Sequence, residues 1–334
     1  MENENELTRR DVLGRLAAAA SGACALAAAQ GSGISAAQAA EQNAQQASPA
    51  PGAMPYGTIG KAKISRLMLG GNLVSGCMHS RDLHYVGPLF RAYMTEQKIL
   101  ETFKLAEQHG INTVLESGAA FVKRYNKEFG GHMQIIPSIH PTQGQPEAEI
   151  KDEIKQWVDS GVPAVYVWGV AGDTLVRTGE VDRIAKAVEY AKAQGLPAGV
   201  GGHSLQVPMT CEKHKVPCDF YVKTFHGDGY PSATPKAQRK EYIWLDGGPG
   251  WYDSMWCINP EETAEFMKGV TKPWIAFKVL AAGSILPRQG FSYAFNNGAD
   301  FIGVGMFDFQ IPQNCELAEQ AVRRAKDRPR PWRA

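Results

Sequence analysis

Short apolar runs alternate with amphipathic helical patterns along most of the chain, and this alternation restricts the fold more than any other feature. Most residues of each run are apolar without alternation, which is typical of parallel strands buried on both faces. Repeated strand–helix alternation predicts an α/β fold of the (β/α)8 TIM-barrel class. An open doubly wound sheet is the alternative, but no G-x-G-x-x-G turn follows the first strand. The predicted strands span residues 64–70, 112–115, 134–139, 164–168, 197–201, 219–224, 274–279 and 301–304.

The first residues form an export signal rather than part of the barrel. A twin-arginine pattern at Arg9 and Arg10 precedes an Ala-rich apolar stretch and an Ala-x-Ala site that ends at Ala39. This stretch is too short and too weakly apolar to be a stable membrane span. We therefore expect residues 1–39 to engage the twin-arginine export machinery and to deliver a periplasmic protein. Lipidation at Cys24 is the alternative, although no large aliphatic residue stands three positions before it.

The remaining chain divides into a flexible leader, residues 40–55, and a single barrel domain, residues 56–334. With 35 basic and 34 acidic residues the net charge is +1, which excludes the large basic field of a nucleic-acid-binding protein. Cys211 and Cys218 are close enough in sequence to pair across a loop in an oxidising compartment. The sequence leaves this pairing open.

Histidines follow three of the predicted strands, where the active site of a TIM barrel lies. They are His140, His203 and His226, and Glu116 follows a fourth strand. Because imidazole is the commonest metal ligand, the pattern predicts a divalent metal held by the three histidines, with Glu116 as ligand or catalytic base. The alternative is that these histidines form hydrogen bonds within loops or bind a substrate directly.

Two lysines interrupt apolar strands, Lys223 in the sixth and Lys278 in the seventh. A lysine in a buried strand must point into the barrel mouth or pair with an acid. Desolvation would lower its pKa, so either lysine could stabilise an enolate or alkoxide or form a Schiff base.

The substrate contacts are expected from two loops and one strand end. The loop after the first strand contains His79, Arg81 and Asp82, and Trp168 ends the fourth strand. Trp256 closes a segment, 242–256, that is rich in glycine, aromatic and acidic residues. Aromatic rings beside acids suit a small polar, carbohydrate-like substrate.

Segments at both ends of the barrel resemble aldo/keto reductases. Residues 64–71, ISRLMLGG, resemble that family's first strand, and residues 109–112 resemble the end of its first helix and the start of its second strand. FKVLAAG at 277–283 and NGADFIGVGM at 297–306 resemble its last two strands. The resemblance implies the barrel and raises the possibility of a nicotinamide cofactor, NADP, and hydride transfer.

The catalytic residues of that family do not carry over. The family pattern has an aspartate after the second strand, a tyrosine five residues on, a lysine on the third strand and a histidine on the fourth. Here Glu116, Phe121, His140 and Trp168 stand at those places.

The sequence accordingly predicts a metal-assisted lyase, isomerase or hydrolase. One alternative is an NAD(P)H-dependent oxidoreductase in which Tyr125 or His140 donates the proton. Another is a ligand-binding protein without catalysis.

Overall fold

The computed structural model describes residues 54–77, 83, 85–241 and 255–334. The predicted export signal and nearly all of the leader lie outside the described residues. So do three predicted substrate contacts, His79, Arg81 and Asp82, and most of the aromatic segment that ends at Trp256.

Eight parallel strands close into a barrel, as the sequence predicts. They follow one another around the barrel in chain order from β3 to β10, and β10 pairs with β3 to complete the ring. Two further strands form an antiparallel hairpin ahead of it. In chain order the strands are β1 (Tyr56–Ile59), β2 (Ala62–Ser65), β3 (Leu67–Gly70), β4 (Thr113–Glu116), β5 (Gln134–Ile139), β6 (Val165–Val167), β7 (Ala198–Gly202), β8 (Phe220–Thr224), β9 (Trp274–Phe277) and β10 (Phe301–Val304).

Helices surround the barrel and connect its strands. They are α1 (Asn72–Ser75), α2 (Val86–Tyr93), α3 (Glu96–Gln108), α4 (Ala119–Phe129), α5 (Glu147–Asp159), α6 (Gly169–Arg177), α7 (Val181–Ala193), α8 (Gln206–Lys213), α9 (Pro260–Gly269), α10 (Pro287–Asn296) and α11 (Ile311–Arg324). Short 3₁₀ turns lie at Lys236–Gln238, Asp308–Gln310 and Ala325–Asp327. No helix in the described ranges is long and apolar enough to cross a membrane.

The hairpin covers the N-terminal end of the barrel. Ile59 and Ile64 belong to the same buried cluster as Phe220 and Phe301, the first residues of β8 and β10. The predicted first strand, 64–70, is therefore divided: its start belongs to the hairpin, and only Leu67–Gly70 enters the barrel. The functional face is left at the opposite end, where the barrel strands finish.

Alternation along each strand separates two apolar layers. In β8, Phe220 and Val222 pack with the cluster inside the barrel, whereas Tyr221 packs with the larger cluster beneath the helices. Side chains that continue the inner series at a strand's carboxyl end therefore face the mouth.

One helix that the pattern does not predict, α6, begins directly after β6. It packs so closely on β7 that a Cβ at Gly172 would lie 2.1 Å from the carbonyl oxygen of Gly201. The glycine that permits this approach also weakens the helical signal in the sequence. The helical patterns that the sequence predicts at residues 95–109, 146–160, 180–194, 259–270 and 287–297 correspond to α3, α5, α7, α9 and α10.

The cysteine pair is reduced in the structure. Cys211, on α8, and Cys218, just before β8, are both buried free thiols. Burial raises the pKa of Cys218 to about 11, which keeps the thiol protonated at neutral pH.

Candidate active site

A cavity of about 280 Å³ opens at the carboxyl ends of the strands. Its wall comes from the connections that follow β3, β4, β9 and β10, together with Trp256. The charged side chains on the described wall are Glu116 and Lys278, and Cys77 lies beside them. The cavity therefore contains two of the predicted catalytic residues, Glu116 and Lys278, at the level predicted for the active site.

Lys278 presents an ammonium group that the protein solvates poorly. Burial lowers the pKa of Lys278 to about 8, although the charges of Glu116 and Cys77 act to raise it. Its Nζ lies 3.8 Å from the centre of the Trp256 ring, a cation–π contact that favours the charged form. Lys278 is therefore half-protonated near pH 8, and at neutral pH it is mainly an ammonium group with a minor neutral fraction. A pKa this close to neutrality suits a side chain that donates and accepts protons.

Glu116 is oriented by an indole. The Trp168 Nε1–H group donates a hydrogen bond of 2.9 Å to Glu116 Oε1. Trp168 thus acts on the site through Glu116, and it does not line the cavity as a substrate contact. Trp168, at the end of β6, thus fixes the carboxylate of Glu116, at the end of β4, and the carboxylate still lines the cavity.

Both charged residues lie on strained backbone. Glu116 has φ 87° and Lys278 has φ 56°, in the left-handed region that costs a residue with a side chain about 1–2 kcal/mol. Ala281 and Ala282, in the connection after β9, share this conformation. Four of the five described non-glycine residues with positive φ therefore belong to the cavity wall or its adjoining loop. Such strain concentrates at functional sites, where it holds side chains in positions that relaxed backbone would not give.

Trp256, predicted as a substrate contact, is part of the cavity wall, and a histidine holds it in place. The backbone N–H groups of Trp256 and Cys257 donate to His226 Nε2 at 3.0 and 2.9 Å. His226 Nδ1 is 2.9 Å from the carbonyl oxygen of Gly227. These contacts assign the ring proton to Nδ1 and commit both nitrogens of a fully buried ring to backbone groups.

The three histidines predicted as metal ligands have other partners. No group of three His, Cys, Asp or Glu side chains that could hold a metal ion occurs among the described residues. Both ring nitrogens of His226 contact backbone groups. His203 Nδ1 lies 2.7 Å from Asp173 Oδ2, and His140 Nδ1 lies 2.7 Å from Glu153 Oε1. The partners of His140 and His226 lie on the same connection as the histidine, whereas Asp173 lies on α6, before β7.

His203 still lies near the cavity. Its ring is 5.3 Å from that of Phe277 and 5.9 Å from that of Trp256. Burial lowers the pKa of His203, while Asp173 acts to raise it. His203 therefore supports the aromatic wall behind Lys278.

His140 lies on the outer side of the mouth. Its Nε2 is 3.2 Å from Ser138 Oγ, and its ring is 5.4 Å from that of Trp168. Almost half of its side chain is exposed. The Glu153–His140–Ser138 chain is a hydrogen-bonded series that ends beneath Trp168.

Lys223 does not reach the mouth. It follows the outer series of β8, is 1% exposed, and donates to the carbonyl and hydroxyl oxygens of Thr224. Burial lowers its pKa, and the charge of Asp173 acts to raise it. Side-chain alternation turns Lys223 toward the helices, so this predicted catalytic residue lies apart from the cavity that contains Glu116 and Lys278.

Tyr125, the proton donor proposed for an altered reductase, also faces the helices. Its hydroxyl donates to Glu107 Oε2 at 2.7 Å, and its ring packs against Phe103 and Phe129. It is 2% exposed and lies away from the cavity wall.

The sequence provides no signal for two residues of the site. Cys77 follows α1 and enters the cavity, and burial raises its pKa against the opposing effect of Lys278. Asp173, on the unpredicted helix α6, accepts hydrogen bonds from the backbone N–H groups of His203 and Ser204. A lone cysteine and a helical aspartate match no motif, so only their positions in space reveal them.

A larger, more open groove of about 560 Å³ lies elsewhere, between α9 and α10. Its charged wall consists of Asp228, Glu261, Glu265 and Lys268. The groove is outside the strand ends and lacks strained or poorly solvated charges, so we assign the chemistry to the smaller cavity.

Comparisons with known proteins support the fold. No family model matches the chain, and none of the curated proteins matches it. A solved structure titled "Putative aldo-keto reductase from Pseudomona aeruginosa" matches at a TM-score of 0.53 and 15% identity, over 80% of this chain and 95% of that one. A second structure of an aldo-keto reductase from the same organism, also titled as putative, gives 0.52 at 15% identity over the same shares. A structure titled as Gox0644 in its apo form gives 0.51 at 11% identity, over 83% and 98%.

These TM-scores show that the chain shares the TIM-barrel fold of these three structures. At 11–15% identity the likeness is one of fold alone.

Proposed function

We propose that this protein is an enzyme that acts on a small carbonyl compound by moving a proton on the carbon next to the carbonyl group. The observation that carries the proposal is the pairing of Lys278 and Glu116 across one cavity. A poorly solvated ammonium and a fixed carboxylate are the acid and base that such a reaction needs.

Each residue has one part in the reaction. The Glu116 carboxylate takes a proton from the carbon, and the electron pair of the broken C–H bond forms a carbon–carbon double bond. The carbonyl π pair moves to oxygen, where the Lys278 ammonium stabilises the charge or donates its proton. Return of the proton to the same carbon exchanges it with solvent. When that carbon carries a hydroxyl group, the intermediate is an enediol: the hydroxyl loses its proton as the former carbonyl carbon gains one, and the carbonyl group moves to the neighbouring carbon. Trp168 keeps the carboxylate in place through its hydrogen bond to Oε1.

A nicotinamide dinucleotide fits this site poorly. Pockets for drug-sized ligands span ~300–1,000 Å³, and this cavity, at about 280 Å³, is smaller although a dinucleotide is larger than such ligands. The tyrosine that an altered reductase would use faces the helices. We therefore route no step through this cofactor, and a reductase remains the alternative outcome of the test below.

Proton transfer can be measured directly as exchange with solvent. The purified protein is incubated in deuterium oxide with hydroxyacetone or 2-hydroxyacetophenone, and loss of the carbon-bound proton signal is followed by NMR. We expect exchange that Glu116→Gln and Lys278→Met each reduce by about 10²–10⁴-fold, the usual contribution of a general acid or base. Lys223→Met is the matched control, because this lysine is also buried but lies outside the cavity.

Three results would contradict the proposal. Equal exchange in wild type and Lys278→Met would remove the lysine from the mechanism. Ketone-dependent quenching of bound or added nicotinamide fluorescence, without exchange, would favour the reductase. Ligand binding without exchange or reduction would indicate a binding protein.

We also propose that the chain is exported to the periplasm by the twin-arginine route. The support is the Arg9–Arg10 pair, the Ala-rich stretch and the Ala-x-Ala site. In a bacterial host with this export system, the wild-type chain should appear in the periplasmic fraction, and a variant with Arg9→Lys and Arg10→Lys should stay inside the cell. Equal distribution of both chains would contradict the proposal.

A further inference from the structure

Exposed apolar side chains gather around the entrance of the cavity. Of the large hydrophobic residues exposed in the described ranges, six lie on the connections after β9, β10 and β3, which are adjacent in the barrel. The other two, Phe129 and Met209, lie elsewhere. The six are Leu83, Tyr85, Leu89, Tyr93, Leu286 and Phe309.

An aromatic cluster joins this surface to the cavity. We call Phe90, Tyr93, Phe307 and Phe309 the aromatic rim. Phe307 stacks on Phe309 at 5.2 Å with 10° between the rings, and Phe90 and Tyr93 each meet Phe307 edge-on at 5.4 Å. Phe90 and Phe307 line the cavity, whereas Phe309 is 67% exposed. The rim therefore extends continuously from the cavity wall to the surface.

Polar contacts at its outer edge keep the rim in one arrangement. The Tyr93 hydroxyl donates to Asp308 Oδ1 at 2.7 Å, and Lys98 Nζ donates to Asp308 Oδ2 at 3.1 Å. The Phe307 N–H group donates to Gln310 Oε1 at 3.0 Å. Because the side chains of the rim are already ordered, they lose less conformational entropy when a ligand binds than flexible side chains would.

The inside of the cavity has the same character. Leu115, Met306 and Phe277 contribute apolar surface between the charged pair and the rim. A polar sugar would bury its hydroxyl groups against this surface without partners, which costs free energy. A flat apolar body would instead gain from contact with it.

We propose that the substrate is a carbonyl compound with an aromatic-sized apolar body that lies on the aromatic rim while its carbonyl head reaches Lys278 and Glu116. This inference rests on the proposed function and names the substrate class. It replaces the carbohydrate-like substrate expected from the sequence. The substrate, rather than a second copy of the chain, is the occupant because the rim is continuous with the cavity wall.

The test compares two ketones that share a reacting head. 2-Hydroxyacetophenone carries a phenyl ring where hydroxyacetone carries a methyl group. We expect kcat/KM for deuterium exchange to favour the phenyl compound by about 100-fold, within the range for added apolar contact. Phe309→Ser and Leu89→Ser should each reduce this preference by about 5–10-fold. Both residues are more than 60% exposed, so their replacement spares the core. Phe129→Ser, on the unrelated helix α4, is the matched control.

Binding separates this inference from the proposed function. Acetophenone and acetone, which lack the hydroxyl group, are titrated against the intrinsic tryptophan fluorescence. Tighter binding of acetophenone, weakened by Phe309→Ser, supports the rim even when neither ketone exchanges. Equal affinity for the phenyl and methyl compounds, or a preference for the phenyl compound that survives both Phe309→Ser and Leu89→Ser, overturns it. A fall in molar mass from dimer to monomer in Phe309→Ser, measured by light scattering, would assign the rim to a second copy and also overturn it.

Discussion

Lys278 reduces the stability of the fold at neutral pH, which is expected of a residue kept for chemistry. Its folded-state pKa, about 8, is below the usual 10.5, so folding favours the neutral form. Below pH 8 the Lys278 side chain is charged in both the folded and the unfolded protein, so the folded protein bears the whole cost of desolvating the ammonium group. Between pH 8 and 10.5 the unfolded chain binds more protons, so the penalty falls as pH rises.

The variant Lys278→Met should therefore be more stable than wild type. We expect a gain of about 1–2 kcal/mol in the free energy of unfolding at pH 7, less than the full shift implies because the side chain is partly exposed to the cavity. The gain should shrink above pH 8 and vanish by about pH 10.5. Urea denaturation at several pH values measures it, and a variant less stable than wild type at pH 7 would contradict this account of Lys278.

The replacement His226→Ala should cost about 3 kcal/mol of stability. It leaves two buried N–H groups, those of Trp256 and Cys257, without their acceptor and opens a cavity. Metal content should not change. Urea denaturation and elemental analysis check both outcomes, with His132→Ala, at an exposed position, as the control. Loss of a stoichiometric metal ion from the variant would restore the metal hypothesis.

At this scale the sequence reveals residues whose chemistry is unusual for their setting. A lysine within an apolar strand is anomalous by itself, so Lys278 could be predicted, and Glu116 followed from its place at a strand end. The histidines could not be assigned, because the role of an imidazole depends on its hydrogen-bond partners. The partners of His203 and His140 are Asp173 and Glu153, which lie 30 and 13 residues away on helices, and no local motif joins them to the histidines.

Among the elements, α6 has a role beyond covering the barrel. Its Asp173 accepts the backbone N–H groups of His203 and Ser204 as well as the His203 ring, and so fixes the connection after β7. The carboxylate is buried, so these bonds are charge-assisted and poorly replaced by water.

The variant Asp173→Asn should lower stability by about 2 kcal/mol, because an amide offers one acceptor where the carboxylate offers two. Urea denaturation measures the loss. Asp152→Asn, at an exposed position on α5, should stay within about 0.5 kcal/mol of wild type. Equal stability of the two variants would show that Asp173 does not fix this connection.

Elements with strong periodicity could be predicted, whereas α6 and the connection after β9 could not. The sequence around Gly169 and Gly172 lacks a helical stripe, and tight packing on β7 determines the helix instead. Lys278, Ala281 and Ala282 have positive φ angles in the connection after β9. In the sequence this connection looks like a continuation of the strand, because it is apolar apart from Lys278. Strain of this kind is set by the surrounding structure and leaves no trace in local propensity.

For the whole molecule, the end of the chain ties the barrel together at its N-terminal side. Asp300, just before β10, is fully buried and pairs with Arg330 and Arg328, and its Oδ1 accepts the N–H group of Arg333. Arg66, between the hairpin and β3, donates to the backbone carbonyl of Asp300. Asp300 thus links the closing strand to the terminal segment through its carboxylate and to Arg66, beside the hairpin, through its backbone carbonyl.

The variant Asp300→Asn should lose about 3–5 kcal/mol, because it leaves buried guanidinium groups without their counter-charge. Thermal and urea denaturation check this, with Asp327→Asn, at an exposed position nearby, as the control. A loss of less than about 1 kcal/mol in the free energy of unfolding would contradict this account, because it would mean that water solvates Arg328 and Arg330 when the carboxylate is removed.

The architecture of the whole molecule was the most predictable level. Eight apolar runs separated by helical patterns are compatible with few strand orders. The right-handed connection between parallel strands excludes most of these orders. The hairpin that covers the barrel was missed because its second strand continues into β3 with only Arg66 between them.

The most direct test of the active-site assignment is the titration of Lys278 itself. In protein labelled with ¹³C and ¹⁵N at lysine, the side-chain signal that disappears in Lys278→Met should titrate with a midpoint near pH 8. Its midpoint should fall further in Glu116→Gln, because the carboxylate charge raises the pKa of Lys278. A midpoint near 10.5, unchanged by Glu116→Gln, would contradict the assignment.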